Sequence, residues 1–348
     1  MALIHGGQLQ QVAEQYKIPP ADWLDLSTGI SPLSYPIPII PLSAWQQLPQ
    51  QSPELITAAK QYYQCSQLVV TNGSQAIIKA LPELYRQQNN AGQDVYLPAR
   101  GYKEHAHAWR IAGYKLHFYQ ESLPDINQLP INCVVVIINP NNPTGKFYNR
   151  DVISQYQTRL KKLNGLLVLD EAFIDVMPNS QSCCNQVNDS HIIVLRSFGK
   201  FFGLAGIRIG FLIAGNYWCT KFKAILGPWQ VNGPAQIIAK KALNDGDWQI
   251  EQCKKLSTLR IQQEALLWQT FTEELVKTIQ GCDLFLTLSF HQADSAKKLY
   301  HLLCQQGVYC RLADEQDTLR FGIATQDSLT RLENACTHAC NQLAISEQ

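Results

Sequence analysis

The stretch Leu195-Arg-Ser-Phe-Gly-Lys-Phe-Phe-Gly-Leu-Ala-Gly-Ile-Arg-Ile-Gly-Phe211 sets one lysine, Lys200, between an apolar strand-like run and a glycine-punctuated loop, with Arg208 further along. A lysine at the end of a strand, in a loop whose glycines let other groups approach closely, has the setting of a Schiff-base nucleophile. A lysine on a solvated face needs none of this. Ligands in open α/β sheets gather outside the carboxyl ends of the strands, so the partners of Lys200 should follow other strands of the same sheet.

Outward from that stretch the chain alternates. Short apolar runs at Val69–Thr71, Asp94–Leu97, Lys115–Tyr119, Cys133–Ile138, Gly165–Leu169, His191–Leu195 and Ile207–Ile213 read as strands. Helical periods fall at Ser74–Tyr85, which Pro82 should interrupt, and at Glu104–Ala112 and Arg150–Leu163. This is an α/β pattern with a mixed, mostly parallel sheet covered on both faces. After Gly233-Pro234 the character changes. Helices at Ala235–Leu243 and Trp248 to about Val276 lead into a βαββα series: Leu284–Phe290, Ser295–Gln305, Val308–Arg311, Thr318–Ile323 and Ser328–Leu343. The expected organisation is an N-terminal arm (1–45) packing over the active site, a large domain (46–235) and a smaller α+β domain (236–348). The proline-interrupted arm, with one helix candidate at Gln8–Tyr16, has too little apolar surface for a core of its own.

The bulk numbers exclude several classes. In 348 residues, Lys+Arg 29 against Asp+Glu 28 leaves a net charge of +1, and no basic run is present to meet nucleic acid or an anionic membrane. The opening Met1-Ala-Leu-Ile-His-Gly-Gly7 lacks a secretory pattern, and no apolar run reaches a membrane span. A cytoplasmic location is expected, and the 11 cysteines without a CxxC pair fit reduced thiols better than a disulfide framework. Cys336 and Cys340 share a helix face that His338 does not, and two ligands do not close a zinc site, so no metal is expected. Cys183-Cys184 reads as part of a polar loop.

Three further motifs follow strands. Asp170, in Val168-Leu-Asp-Glu-Ala-Phe173, ends an apolar run where an unpaired carboxylate is costly. It can cap the next helix, pair with an arginine, or hold a pyridinium nitrogen protonated. Ile138-Asn-Pro-Asn-Asn-Pro-Thr-Gly145 brings the amide of Asn142 to a strand's carboxyl end. Thr71-Asn-Gly-Ser-Gln75 offers the backbone N–H groups of Gly73, Ser74 and Gln75 and the Ser74 hydroxyl at a helix N-terminus, which suits a phosphate. Ser197 and Arg208 could complete that cup, and Tyr102 could stack on a flat ring.

The motifs NPNNPTG, DEAF and SFGKFFGLAGIRIG, in this order, resemble those of the fold-type I pyridoxal phosphate enzymes, in the branch containing histidinol-phosphate aminotransferase. The resemblance implies pyridoxal 5'-phosphate as cofactor, Lys200 as its covalent anchor, Asp170 as partner of the pyridine nitrogen and Asn142 as partner of the ring oxygen. It implies Ser74, Ser197 and Arg208 at the phosphate, Tyr102 on the ring face, and a homodimer. Many relatives have tyrosine where Phe173 stands, so the ring oxygen should lose one hydroxyl donor.

Arg311 and Arg320 border short strands, and Thr318-Leu-Arg-Phe-Gly322 is similar to the family's setting for an arginine that clamps a substrate anion. His5-Gly6-Gly7, Trp23-Leu-Asp-Leu-Ser-Thr-Gly29 and Gly101-Tyr-Lys-Glu-His105 resemble the threonine-phosphate decarboxylases of cobalamin biosynthesis, with asparagine commonly standing where this chain has Ser31. That resemblance implies His5, Gly6, Gly7, Thr28, Gly29, Asn142, Arg311 and Arg320 around a phosphorylated amino acid, and decarboxylation of L-threonine O-3-phosphate to (R)-1-amino-2-propanol phosphate. Histidinol-phosphate aminotransfer and a non-catalytic pyridoxal phosphate-binding protein remain alternatives. A nicotinamide dehydrogenase is weaker, since Gly203, Gly206 and Gly210 do not form GxGxxG.

Overall fold

The computed structural model describes residues 6–88, 92–178, 181–187, 189–292 and 294–346. Contacts divide the chain into a larger unit, Tyr35–Asn142 with Lys146–Asp247, and a smaller one, Met1–Ser34 with Pro143–Gly145 and Trp248–Gln348. The N-terminal segment therefore falls with the C-terminal residues, and the second junction lies between Asp247 and Trp248.

Two N-terminal elements, α1 (Leu9–Tyr16) and the short strand β1 (Leu24–Asp25), belong to the smaller unit. The larger unit runs α2 (Ser43–Gln46), α3 (Pro53–Tyr63), β2 (Leu68–Thr71), α4 (Ser74–Arg86), β3 (Asp94–Pro98), α5 (Lys103–Ile111), β4 (Lys115–Tyr119), β5 (Val134–Ile138) and α6 (Arg150–Lys162). It continues with β6 (Leu166–Asp170), β7 (Ile192–Ser197), α7 (Phe198–Phe201), β8 (Gly210–Ala214), α8 (Asn216–Leu226) and α9 (Gly233–Leu243).

Side-chain oxygens set several of these starts: Leu55 N–H donates to Ser52 (3.2 Å), Val152 N–H to Asn149 (3.0 Å) and Ala235 N–H to Asn232 (2.8 Å). Prolines at the first turns of α3 and α9 need no hydrogen bond there. Helix α4 runs unbroken through Pro82. Its face of Ile77, Ile78, Leu81, Leu84 and Tyr85 is buried, and that packing outweighs a proline cost of about 3 kcal/mol.

The seven strands lie in the order β2-β8-β7-β6-β5-β3-β4. Only β8 runs against the rest, pairing antiparallel with both β2 and β7. Strands β5 and β6 are buried along their whole length, as continuous Val/Ile/Leu runs demand. Strand β8 starts later than its apolar pattern suggests, because Ala205–Ile207 make a 3-10 turn and Arg208 is left-handed (φ 55°).

The smaller unit departs more from expectation. Helix α10 (Gly246–Thr270) ends before the expected Val276, and Val276–Cys282 is a strand, β9, in a stretch to which the sequence reading assigns no element. Its buried residues Val276, Ile279 and Cys282 are spaced by three, a helical period, yet β9 pairs antiparallel with β10 (Phe285–Phe290), and that pairing decides its state. Helix α11 (Ser295–Gln305) follows. The expected strand 308–311 divides around Cys310: β11 (Val308–Tyr309) pairs parallel with β1, and β12 (Arg311–Leu312) pairs with β13 (Thr318–Gly322). The final helix is α12 (Leu329–Ser346). The result is a four-stranded sheet, β12-β13-β10-β9, and a two-stranded ribbon that knits the N-terminal segment in. No helix among the described residues is long and apolar enough to cross a membrane.

Candidate active site

Where β2 ends, the Thr71 hydroxyl donates to the Gly73 carbonyl (2.9 Å), and Gly73 takes φ +99° before α4 begins at Ser74. No side chain caps this 13-residue helix and no acidic residue lies in its first turn, so its N-terminal amides and dipole can face an anion. A Cβ on Gly73 would stand 3.1 Å from Arg208 Nη2, so the glycine leaves room for that guanidinium. Gly210, across the sheet from Thr71 and Ser197, would meet the backbone of Gly73 at 3.0 Å with any side chain. Bare backbone at both positions lets cationic and N–H donors converge.

At the opposite side Asp170 ends β6, level with Ile138 and Leu195 of the flanking strands. Its carboxylate is buried, and burial unpaired would be costly. Oδ1 accepts from Ala172 N–H (3.0 Å), and the His105 Nε2–H donates to Oδ2 (2.9 Å). His105 and Tyr102 stand three apart at the start of α5, and their rings meet edge to face at 6.3 Å. The Tyr102 hydroxyl donates to Gln75 Oε1 (3.1 Å), while Gln75 Nε2 donates to Glu104 Oε2 (2.5 Å). Burial, helped by the charges of Glu104 and Asp170, pushes the Tyr102 phenol up to about 12, so it stays a neutral hydroxyl at physiological pH.

Lys200 lies in the short α7, directly after β7. Gly199 makes this possible, since a Cβ there would fall 2.6 Å from Ala205 Cα. The ammonium sits 5.6 Å from the centroid of the buried Phe173 ring. Gly73, Ser74, Gln75, Tyr102, Asn142, Asp170, Ser197, Lys200 and Arg208, the nine cofactor candidates, line one cavity of about 140 Å³ together with Phe173. The site is thus a row of strand ends: cationic and N–H donors at one end, a buried carboxylate at the other, and a lysine between the walls.

The substrate candidates other than Asn142 belong to the smaller unit. Arg320 Nη2 donates to the Ser27 carbonyl (2.7 Å), and Arg311, level with it on β12, donates to Asp314 Oδ1 (2.8 Å). Burial, with the neighbouring charge of Arg311, pushes Arg320 down to about 10, the condition of a cation that an anion would relieve. Gly7 N–H donates to the Ser27 hydroxyl (2.8 Å), which donates in turn to Asp25 Oδ1 (2.7 Å). A Cβ at Gly6 would lie 2.2 Å from the Ser27 carbonyl oxygen, and one at Gly322 would lie 2.3 Å from that of Thr28. Close backbone packing thus gathers Gly6, Gly7, Thr28 and Arg320, with the buried Gly29 next in the chain. His5 lies outside the described residues. Ser31 is structural: its hydroxyl donates to Leu33 O (2.9 Å) and accepts from Gln252 Nε2 (2.8 Å).

Sequence reasoning names His105 only as the end of the segment Gly101-Tyr-Lys-Glu-His105 and gives it no role. The signal available was its position three residues after Tyr102, at the start of a helix that follows a strand. In the Cys183-Cys184 segment, expected as part of a polar loop, both cysteines are buried beside Glu171, and Cys183 N–H donates to Glu171 Oε1 (2.8 Å). Of the C-terminal thiols, Cys336 is buried and that of Cys340 donates to the Thr270 carbonyl (3.4 Å).

The family model for aminotransferase class I and II matches residues 45–338. The chain belongs to this family, and its fold is the fold-type I architecture of pyridoxal phosphate enzymes. Within the family it is 37% identical over 342 residues to the threonine-phosphate decarboxylase of Pseudomonas aeruginosa, covering 96% of this chain and 97% of that protein. It is 33% identical to that of a Sinorhizobium species, covering 95% and 98%. Histidinol-phosphate aminotransferase 1 of Legionella pneumophila strain Lens is 37% identical over 128 residues, 35% of each chain. Among solved structures, the histidinol-phosphate aminotransferase of Sinorhizobium meliloti in complex with pyridoxal-5'-phosphate superposes with TM-score 0.78 at 18% identity, covering 99% of this chain and 96% of that one. The L-threonine-O-3-phosphate decarboxylase of Porphyromonas gingivalis superposes with TM-score 0.72 at 18% identity, covering 89% and 97%.

Proposed function

We propose that this chain is a pyridoxal 5'-phosphate-dependent lyase that decarboxylates L-threonine O-3-phosphate to (R)-1-amino-2-propanol phosphate, a step of cobalamin biosynthesis. The observation that carries the choice of reaction is the near-full-length match to two decarboxylases, against a match to the Legionella aminotransferase over 35% of the chain.

The cavity residues fit the cofactor. The uncapped start of α4, Gly73 with φ +99° and the guanidinium beside it suit a phosphate, and the buried carboxylate held by His105 suits a protonated ring nitrogen. Ser74, Ser197 and Arg208 would hold the phosphate, Tyr102 would cover one ring face, Asn142 would donate to the ring oxygen, and Lys200 would carry the group covalently. When bound, it supplies an electron sink for the pair left behind as the Cα–carboxylate bond breaks. Asp170 would keep a proton at the ring nitrogen, and His105, 2.9 Å from Oδ2, would fix the carboxylate for that task. Lys200 Nζ would be the group that returns a proton to Cα. Arg320 and Arg311, with the amides of Gly6 and Gly7 and the Thr28-Gly29 turn, would take the substrate's anionic groups. Those anion contacts would set which bond at Cα is broken, to carboxylate or to hydrogen, and so would separate decarboxylation from aminotransfer.

The test is direct. Carbon dioxide release from L-threonine O-3-phosphate supports the reading, whereas amino transfer from histidinol phosphate to 2-oxoglutarate without carbon dioxide would replace it. A borohydride-sensitive band with neither turnover would mark a non-catalytic binder.

The same reading includes a homodimer working in the cytoplasm. Its support is chemical: Ile37, Ile39, Leu42, Trp45 and Leu48 are all exposed within one short stretch, and all 11 cysteines are free thiols. Light scattering at twice the 39.2 kDa chain mass is the expected result.

A further inference from the structure

A buried ionic cluster lies beside the cavity residues and is absorbed by none of the roles above. Alternation along β7 directs Ser197 to the cavity and its neighbour Arg196 away, and the residue after Asp170, Glu171, points away likewise. The two meet: Arg196 Nη1 is 3.3 Å from Glu171 Oε2, and Arg196 Nη2 pairs with Asp175. All three side chains are at most 4% exposed. Arg196 Nη1 also donates to the Ser182 hydroxyl (3.1 Å), and its guanidinium lies 4.6 Å from the Tyr63 ring centroid. Glu171 accepts from Ser182 Oγ (2.7 Å) and Cys183 N–H (2.8 Å), and the Tyr62 hydroxyl donates to Asp175 (2.8 Å).

Such a cluster is a weak argument for stability, since desolvating three charges offsets most of their attraction. Its placement is more telling. Glu171 and Asp175 bracket the segment 172–174, in which Ala172 and Phe173 line the cavity and Ala172 N–H holds Asp170 Oδ1. Arg196 sits on the strand that delivers Ser197 and Lys200. One planar guanidinium therefore joins the wall carrying the carboxylate to the wall carrying the lysine, and its fork geometry fixes direction as well as distance. We propose that Arg196 is a positioning residue for the reaction, acting through Glu171 and Asp175 to hold Asp170 and Phe173 in register with Lys200.

This inference rests on the proposed function, and full-length protein loaded with pyridoxal phosphate tests the two separately. The readouts are the pH midpoint of the borohydride-sensitive absorbance band and the kcat and KM for L-threonine O-3-phosphate. Arg196→Met is expected to move the midpoint and lower kcat roughly 10- to 100-fold with KM within about threefold, the scale of a small misplacement of reacting groups. Arg196→Lys, which keeps the charge and loses the fork, should recover part of the loss, and Glu171→Gln should act in the same direction. If these variants melt at lower temperature with midpoint and kcat at the wild-type values, the cluster is a stability element only and the proposal is overturned. Should Arg196→Met fail to fold, Glu171→Gln and the milder Tyr62→Phe decide by the same criterion. A wild-type protein without the band would overturn the function itself; a wild-type band with unaltered variants overturns only the positioning role.

Discussion

The cavity of the larger unit and the arginine cluster of the smaller one both gather donors suited to anions, but by different routes through the chain. In the cavity each donor sits within a few residues of the strand end that positions it: Gly73, Ser74 and Gln75 after β2, Tyr102 after β3, Asn142 after β5, Lys200 after β7. In the cluster, Arg320 is held by the carbonyl of Ser27, 293 residues away in sequence, and Gly322 N–H is held by Leu26 O (2.6 Å). A site built from strand ends survives as recognisable motifs. A site built from distant backbone contacts offers only separate short motifs whose meeting no local rule predicts, and it should respond differently to substitution.

Substitutions can break that contrast in order of size. Lys200→Ala should abolish the borohydride-sensitive band and lower turnover on the order of 10³-fold or more, since the proposed covalent anchor and proton carrier go together. Asp170→Asn should leave a reducible band and lower kcat about 10²-fold, the scale of losing one preorganised charge contact; an unchanged kcat would remove Asp170 from the proposed mechanism.

The glycines compare the two regions directly. Gly322→Ala puts a Cβ 2.3 Å from the Thr28 carbonyl oxygen, so it should raise KM for the phosphorylated substrate roughly tenfold with the absorbance band intact. Gly73→Ala forces a side chain into φ +99° and against Arg208, so it should weaken cofactor affinity by about tenfold instead, read by spectral titration. If both substitutions changed the same parameter, the separation into a cofactor site and a substrate site would fall. The smallest effect is expected of Phe173→Tyr. A new hydroxyl donor favours an ionised ring oxygen, so the pH midpoint of the band should move down while kcat changes less than about threefold.

Legibility follows the same division. The mixed, mostly parallel sheet, the strand-end positions of Asp170, Asn142 and Lys200, and the helix N-terminus at Ser74 were readable because a strand, its turn and the next helix are consecutive in sequence. Two local rules were overridden by packing: Pro82 does not stop α4, and the 276–282 segment is a strand despite its helical spacing of buried residues. His105 was missed because nothing local marks the carboxylate it meets 65 residues away.

By itself, then, the sequence determined where the candidate groups stand: a lysine, a carboxylate and turns suited to a phosphate, each tied to its own strand by a few covalent bonds. Tertiary structure alone decided how the chain's ends combine, splitting 308–312 between two sheets so that Leu24 and Asp25 pair with Val308 and Tyr309, and seating Arg196 on Glu171 and Asp175. The reason is physical. Turn chemistry acts over a few residues, whereas strand partners and buried charge pairs are chosen by whichever surfaces exclude water together once the chain has folded.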